Sequence, residues 1–525
     1  MPQRKRIAVL DLETDPFLEG RVPTPFLSGF YDGKTFKTIW RDDGRCIEDT
    51  AQWLENLPDS YVIYVHNGGR FDFWYFMGYL KADLKIVQSR IIQAFLGKHE
   101  LRDSYAIMPF ALREYNKIEI DMSLLERGRR NAHRDEIIEY LRGDCVYLYD
   151  LVKAYWSEFG NVLTIGSAAM KQMKKFCPIK CGNEEYDKKL RRKFFYGGRV
   201  QVFRPGIIHE RMSVYDVNSM YPWTMSNFRH PIGTGHTTSR KIERDTCFIV
   251  ATCRQLDGGV KPFVVRGFSQ LNFEVKKATF GISIHEWRAA EEFNAFRCLK
   301  VHRTFAWRTQ GSFGGFIDHF YKLRIEAKNC GDKIHELFYK YLLNSSYGKF
   351  AQNSRNYFDW RITDMEPMME PWEPVGLFLN RYILWRKPLA EFRYYNIATA
   401  ASITGAARAT LYRGLRSVPG LAYCDTDSLI ASGPGRLPID SERLGAWKCE
   451  ATAEHTAIAG RKLYALTDGA GAPVKVACAG SRISHQEIFR IARDGDAVVE
   501  YTNRAPTFRL DGSMPFLTKR VRRTV

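Results

Sequence analysis

No stretch of this sequence is apolar for long enough to cross a bilayer. The most hydrophobic runs, RIAVLDLE from residue 6 and SYVIYVHN from residue 60, fall well short of the roughly 20 residues that a membrane helix needs. The opening MPQRKRIAVL meets Asp11 before an apolar signal core forms, so no secretory leader is read there. Paired cysteines are lacking too: the 11 cysteines are scattered, and only Cys177 and Cys181 have a ligand-like spacing, with no second pair to complete a zinc site. Reduced thiols in a soluble, intracellular protein account for them. Internal repeats and low-complexity tracts are absent. Acidic residues are the minority charge, 59 against 78 Lys and Arg, and the net charge of +19 favours a polyanionic partner, nucleic acid before membrane. With 45% apolar and 14% aromatic residues the chain is not a disordered one, and 525 residues allow several domains with separate cores.

What is present falls into blocks. Roughly the first 155 residues alternate short β-rich runs with helical patterns and end in DEIIEYLRGDCVYLYDLVKAYW. There Ile137, Leu141, Cys145, Leu148 and Val152 keep one helical stripe, so an α/β domain is expected. A basic stretch, KKLRRKFFYGGRVQVF, links it to the rest through Gly197 and Gly198. Farther on, GFIDHFYKLRIEAKNCGDKIHELFYKYLLNSSYGKF predicts a helical hairpin broken at Gly331, with Asp332 as the second N-cap. Residues 352–393 carry Pro367, Pro371, Pro374 and Pro388, which suits an irregular insertion better than a long regular element.

Carboxylates sit where buried strands are expected. In AYCDTDSLI, Asp425 and Asp427 either project from one strand face or crowd one tight hairpin turn, and like charges that close need a proton, a Lys or Arg, or a divalent cation. Asp216, in MSVYDVNSMYPWTM, is a third acid of this kind. Three carboxylates at one point make an oxygen-donor site suited to Mg²⁺, and two such ions roughly 3.5 to 4 Å apart stabilise both oxygens of a phosphoryl transfer. Tyr221 lies nearby as a wall for a sugar. On the predicted hairpin, Lys340, Asn344 and Tyr347 share one helix face, and Arg324 and Lys328 are i, i+4 on the other helix. Cations beside metals suit a triphosphate, and Tyr347 followed by Gly348 offers a flat surface for a base. The amino-terminal block has its own acids: Asp11 and Glu13 at i, i+2, Asp72 in HNGGRFDFWYF, and Tyr140 with Asp144 at i, i+4. These four acids suit two further metals that activate a water, with Tyr140 orienting it.

In order along the chain, DLET, NGGRFD, YLRGD, YDVNSMYP, KYLLNSSYG and YCDTDS resemble the three 3′→5′ exonuclease motifs and the three polymerase motifs of the family B DNA polymerases. The resemblance is to the protein-primed branch found in phages, linear plasmids and adenoviruses. It implies an α/β and α+β multidomain protein: an RNase H-like exonuclease domain followed by a right-hand polymerase of palm, fingers and thumb with two insertions. The expected divisions are 1–160 exonuclease, 161–228 linker and first palm segment, 229–305 first insertion, 306–351 fingers, 352–393 second insertion, 394–480 palm and 481–525 thumb.

By the same resemblance, Asp216 and Asp427 hold the polymerase metals with Asp425 as an accessory acid. Asp11, Glu13, Asp72 and Asp144 hold those of the exonuclease, and Lys117 is its lysine. Tyr221 is the steric gate against a ribose 2′-OH, Lys340, Lys328 and Arg324 hold the triphosphate, and Asn344 and Tyr347 line the nascent pair. Thr404 and Arg408, one helical turn apart in TGAAR, Lys462 and Tyr464, on one face of a strand in RKLYAL, and the linker Phe195, Tyr196, Gly197 and Gly198 contact primer and template. Thr14, Asn67, Phe71 and Ser104 hold a frayed single strand. Phe195 stands where the linker motif usually has Tyr, and Tyr105 follows Ser104 where Leu is usual. The implied cofactor is Mg²⁺, two per site, with Mn²⁺ able to substitute. The implied partners are template and primer DNA, dNTPs, a terminal protein contacting the first insertion and a single-stranded DNA-binding protein, in the cytoplasm of a bacterial host. The second insertion is expected to close around DNA for processivity and strand displacement. Two other readings compete: a polymerase with ordinary or primer-independent initiation, and a DNA-binding scaffold whose site is silent.

Overall fold

The structure is a computed structural model that describes residues 6–523 other than 81, 113–118, 180–189, 234, 236, 257–258, 269, 353–356, 365–367, 379–381, 389–393, 479 and 510–512. The amino-terminal block is built on the strand Arg6–Thr14, which pairs antiparallel with Pro25–Tyr31 and parallel with Tyr61–Val65. Every residue of YVIYV in Tyr61–Val65 is buried, as a parallel strand covered on both faces requires. The helix Arg134–Phe159 covers this sheet with the predicted stripe: Ile137, Leu141, Cys145, Leu148 and Val152 are all buried. Helix and sheet meet so closely at Gly29 that a Cβ there would lie 2.8 Å from Leu141 Cδ2.

The second insertion departs from the irregular segment expected. Its residues form strands Phe358–Thr363, Glu373–Phe378 and Tyr382–Pro388, which extend the amino-terminal sheet to ten strands through pairing of Phe358–Thr363 with Ala82–Val87. Two of the prolines sit at the margins of this sheet. Pro388 ends its strand, and Pro374 lies at a register shift in the outermost strand.

A second, five-stranded sheet runs Trp447–Ala453, Met212–Val217, Ser428–Ala431, Tyr423–Asp425, Val200–Val202. The Ala-rich helix Ile397–Leu415 lies on it, capped by Asn396 and buried almost throughout, with Ala407, Leu411 and Leu415 packed on Tyr215, Val217 and Leu429. Above this sheet stands the helical hairpin Gly314–Asn329 and Lys333–Ser346. Gly331 takes φ +77° at the break, and Asp332 caps the second helix by accepting from His335 N at 3.1 Å, both as the sequence predicts.

The stretch expected to hold the first insertion contains a four-stranded sheet, Thr237–Ser239, Phe296–Ala306, Thr246–Gln255, Lys277–Ser283, with the helix Ile284–Glu292 after Lys277–Ser283 and a Ser283–Glu286 capping box. The carboxyl-terminal region joins helix His485–Arg493 to the sheet containing His455–Gly460 and Leu463–Thr467, then ends in the hairpin Val498–Thr502 with Thr518–Arg522. Among the described residues no helix is long and apolar enough to cross a membrane.

Candidate active sites

The carboxylates of AYCDTDSLI lie on a hairpin turn rather than along one strand face. Asp425 pairs with Ser428, leaving Thr426 and Asp427 as a two-residue connection, with Thr426 at φ +57°. The linker holds this turn: Thr426 N donates to Arg199 O at 2.7 Å, and a Cβ on Gly198 would lie 2.6 Å from Thr426 Oγ1. The Asp427 carbonyl accepts from Val217 N at 2.9 Å, and Asp216 pairs with Ser428 on the neighbouring strand. Asp216 and Asp427 are thereby brought together from distant parts of the chain.

Asp425 is neutralised separately. Lys462 Nζ donates to both of its oxygens at 2.7 and 2.6 Å. Lys462 itself lies not on the expected strand but in the turn before Leu463–Thr467 at φ +56°; Tyr464 follows on the strand, buried against Tyr423. Asp216 has weaker relief, from Lys448 Nζ at 3.4 Å, and Lys448 is shared with Glu450 at 2.9 Å. Burial, then the charges of Asp427 and Glu450, push the Asp216 carboxyl up to about 7. Burial, then Asp425, pushes Asp427 up to about 6.

A cavity of about 640 Å³ opens over this pair. Asp216, Asp427 and Tyr221 form its floor, and the helical hairpin lines its roof with Arg324, Lys328, Lys340, Asn344 and Tyr347. All the nucleotide-site residues expected from the sequence therefore converge. Tyr221 and Tyr347 stack at 4.0 Å with planes 12° apart, joining floor to roof. Lys448 also lines the cavity, and with Glu450 it is a pair that sequence reasoning missed. The available signal was WKCE, in which the lysine and glutamate stand i, i+2 on a strand beside Asp216.

The amino-terminal acids converge separately. Carboxylate oxygens of Asp11, Glu13 and Asp144 lie within 4.8 Å of one another. Burial and the charge of Asp11 hold Asp72 well above its ordinary value, so Asp72 borders the same cluster. Tyr140 lies one turn before Asp144 on the long helix, and both are buried. Lys117 lies outside the described residues. Asn67, at φ +59°, begins the turn that carries Phe71 and Asp72, and Asp103 braces that turn by accepting from Gly69 N at 3.3 Å while paired with Arg90 at 2.5 Å. Thr14 is buried at the end of its strand, and Ser104 is fully buried with its hydroxyl 2.9 Å from His66 Nδ1.

Thr404 and Arg408 lie one turn apart on Ile397–Leu415, as expected, yet both are buried. Arg408 pairs with Glu286 at 2.7 Å and donates to the carbonyls of Tyr196 at 2.7 Å and Gly197 at 3.0 Å. In this structure its guanidinium thus grips Glu286 and the backbone of residues 196 and 197. Tyr196 is buried beneath Arg266 and Arg408, while Phe195 is half-buried against Arg191.

Carboxylates on an open sheet beneath a cationic helical hairpin, joined to an RNase H-like domain with its own acids, are the architecture of a DNA polymerase. The chain is 41% identical over 563 aligned residues to the DNA-directed DNA polymerase of Enterobacteria phage PRD1, covering both chains completely. A family model described as DNA polymerase type B, organellar and viral, matches residues 117–371. The chain belongs to the protein-primed family B DNA polymerases. The DNA polymerase of Bacillus phage phi29 is 22% identical over 464 residues, covering 78% of this chain and 72% of that one. Solved phi29 DNA polymerase structures, one of them a ternary complex with primer-template DNA and incoming nucleotides, share the fold at TM-scores of 0.73 and 0.72 with 17% identity, covering 99% of this chain and all of theirs.

Proposed function

We propose that this polymerase replicates a linear genome by starting synthesis on the hydroxyl of a terminal protein, displaces the strand ahead, and removes mispaired 3′ ends at the amino-terminal site. The convergence of Asp216 and Asp427 with the Arg324, Lys328 and Lys340 cations around one cavity supports nucleotide addition most directly. Asp216 and Asp427 would hold divalent cations, Mg²⁺ or Mn²⁺, and the donor set fits: oxygen ligands whose crowded charge the nearby lysines only partly relieve. When bound, such ions supply charge stabilisation to the attacking and leaving oxygens.

The chain's own groups do the rest. Lys340, Lys328 and Arg324 bind and orient the triphosphate from the hairpin side. Tyr221, fixed by its stack on Tyr347, occupies the space where a ribose 2′-OH would project. At the second site Asp11, Glu13 and Asp144, with Asp72 beside Asp11, would form the corresponding oxygen set, with Tyr140 to orient a water for phosphodiester hydrolysis.

The raised carboxyls give the metal dependence a sign. Asp216 and Asp427 stand above the ordinary aspartate value of 3.8, so the folded chain keeps protons over the window from about pH 4 to about pH 7 that the unfolded chain has released. The pair's contribution to stability is therefore largest at low pH and falls as pH rises through that window, and a cation binding the ionised pair offsets the loss. Calorimetry at a series of pH values should show apparent Mg²⁺ affinity falling about tenfold per pH unit below about pH 6 for each proton displaced. Asp216→Asn with Asp427→Asn should remove the dependence.

Protein priming is tested by incubating the purified polymerase with template, one labelled dNTP and Mg²⁺, with and without a candidate terminal protein. Label joined covalently to that protein is the expected result. Extension of an ordinary DNA primer without any labelled protein would instead favour conventional initiation.

A further inference from the structure

The polymerase cavity has a cation on its carboxylate side as well as on the helical hairpin. Lys448 stands directly opposite Asp216 in the antiparallel pairing of Trp447–Ala453 with Met212–Val217. Its Nζ lies 3.4 Å from Asp216 Oδ2 and 2.9 Å from Glu450 Oε1. The backbone there is fixed by Trp447, which is buried so closely against the helix Ile397–Leu415 that a Cβ on Gly414 would lie 2.4 Å from its ring. The side chain of Lys448, by contrast, lines the cavity and is partly exposed, so its head can shift between the two acids on a flexible stem.

Glu450 falls at the register shift of that ladder, between Cys449 opposite Tyr215 and Ala451 opposite Val214, and so has no residue opposite it. Lys475, on the strand Pro473–Cys478 of the adjoining sheet, pairs with its other oxygen. Glu450 is therefore neutralised without Lys448, while Asp216 and Asp427 crowd each other and Lys462 is spent on Asp425. Burial lowers the Lys448 ammonium, but the bond to Glu450 and the charge of Asp216 more than offset it, so Lys448 stays charged. A pair that only braced the sheet would be closed off from the cavity. Lys448 opens into it, beside the carboxylates that incoming cations must reach.

We propose that Lys448 is a resident counter-ion of Asp216 that moves across to Glu450 when divalent cations enter, so that Lys448 and Glu450 together set the metal concentration at which the site fills. This inference rests on the metal reading of Asp216 and Asp427 above. Both are positioning residues, because they act through Asp216 and touch no reacting atom. Their removal has opposite consequences. Without Lys448 the carboxylates have no cation to shed, and metal binds more tightly. Without the charge of Glu450, Lys448 stays on Asp216, and metal binds more weakly.

The test is Mn²⁺ binding, followed by the paramagnetic resonance of the free ion, to the full chain without DNA or nucleotide. Asp11→Ala and Glu13→Ala are present in every sample, so that the polymerase site reports alone. Lys448→Met should bind about tenfold more tightly and Lys448→Arg about as the parent chain does, while Glu450→Gln should bind about tenfold more weakly. Adding Glu450→Gln to Lys448→Met should cost less than about threefold, since the lysine that Glu450 receives is gone. Unchanged or weaker binding in Lys448→Met overturns the proposal, and a misfolded variant cannot mimic the expected gain. An equal loss from Glu450→Gln in both backgrounds also overturns it, by making Glu450 a metal ligand. Binding that survives Asp216→Asn with Asp427→Asn overturns the metal reading itself.

Discussion

Replacing Asp427 by alanine will stop nucleotide addition while single-stranded DNA is still digested. Asp427 sits in the two-residue turn between Tyr423–Asp425 and Ser428–Ala431, and the backbone that carries it is fixed by Val217 N. The side chain can therefore be removed with little disturbance to the turn. What is lost is one of the two aspartates lining the cavity, and Asp425 does not replace it because Lys462 occupies both of its oxygens. Removing a single preorganised electrostatic stabiliser costs on the order of 100- to 1000-fold in turnover, and a principal ligand should cost at least the upper figure. Primer-extension and single-strand digestion assays on the same preparation give the two readouts.

The converse variant, Asp11→Ala with Glu13→Ala, should abolish digestion and leave primer extension within about twofold of wild type. Both residues lie on the Arg6–Thr14 strand, with Asp144 within 4.8 Å, so the double change removes two of three clustered donors. It also removes the charge of Asp11, which after burial is what raises the Asp72 carboxyl, so the fold should not suffer. The two sites belong to separate sheets, the ten-stranded and the five-stranded one, and share no side chain, so effects on one should add to effects on the other. Digestion surviving the double change would refute the amino-terminal assignment.

Local patterns carried much of this structure. The stripe from Ile137 to Val152, the break at Gly331 and the cap at Asp332 are readable because helix period and capping chemistry depend on neighbours a few residues away. The cavity residues were readable because their spacing on the hairpin already put Lys340, Asn344 and Tyr347 on one face. Features decided by distant partners were not. The strands of the second insertion exist because Trp360 and Ile362 pair with Leu84 and Ala82, far away in the chain, and four prolines argued locally against them. The partners of Arg408 within the chain were not legible either: only the fold supplies Glu286 and the carbonyls of Tyr196 and Gly197 that occupy its guanidinium. Lys462 was placed on a strand by its alternation with Tyr464, whereas the β-turn between two strands claims it.

The central claim is that Asp216 and Asp427 jointly hold cations against which a triphosphate, gripped by the helical hairpin, is joined to a growing strand. It is tested most directly by a crystal structure with primer-template DNA, a non-hydrolysable dNTP and Mn²⁺, using the anomalous signal of manganese. The account predicts manganese peaks bridging Asp216, Asp427 and the triphosphate, with Lys340 on the phosphates and Lys448 released from Asp216. Manganese found elsewhere, with Asp216 still held only by Lys448 and the nucleotide outside the cavity, would contradict it.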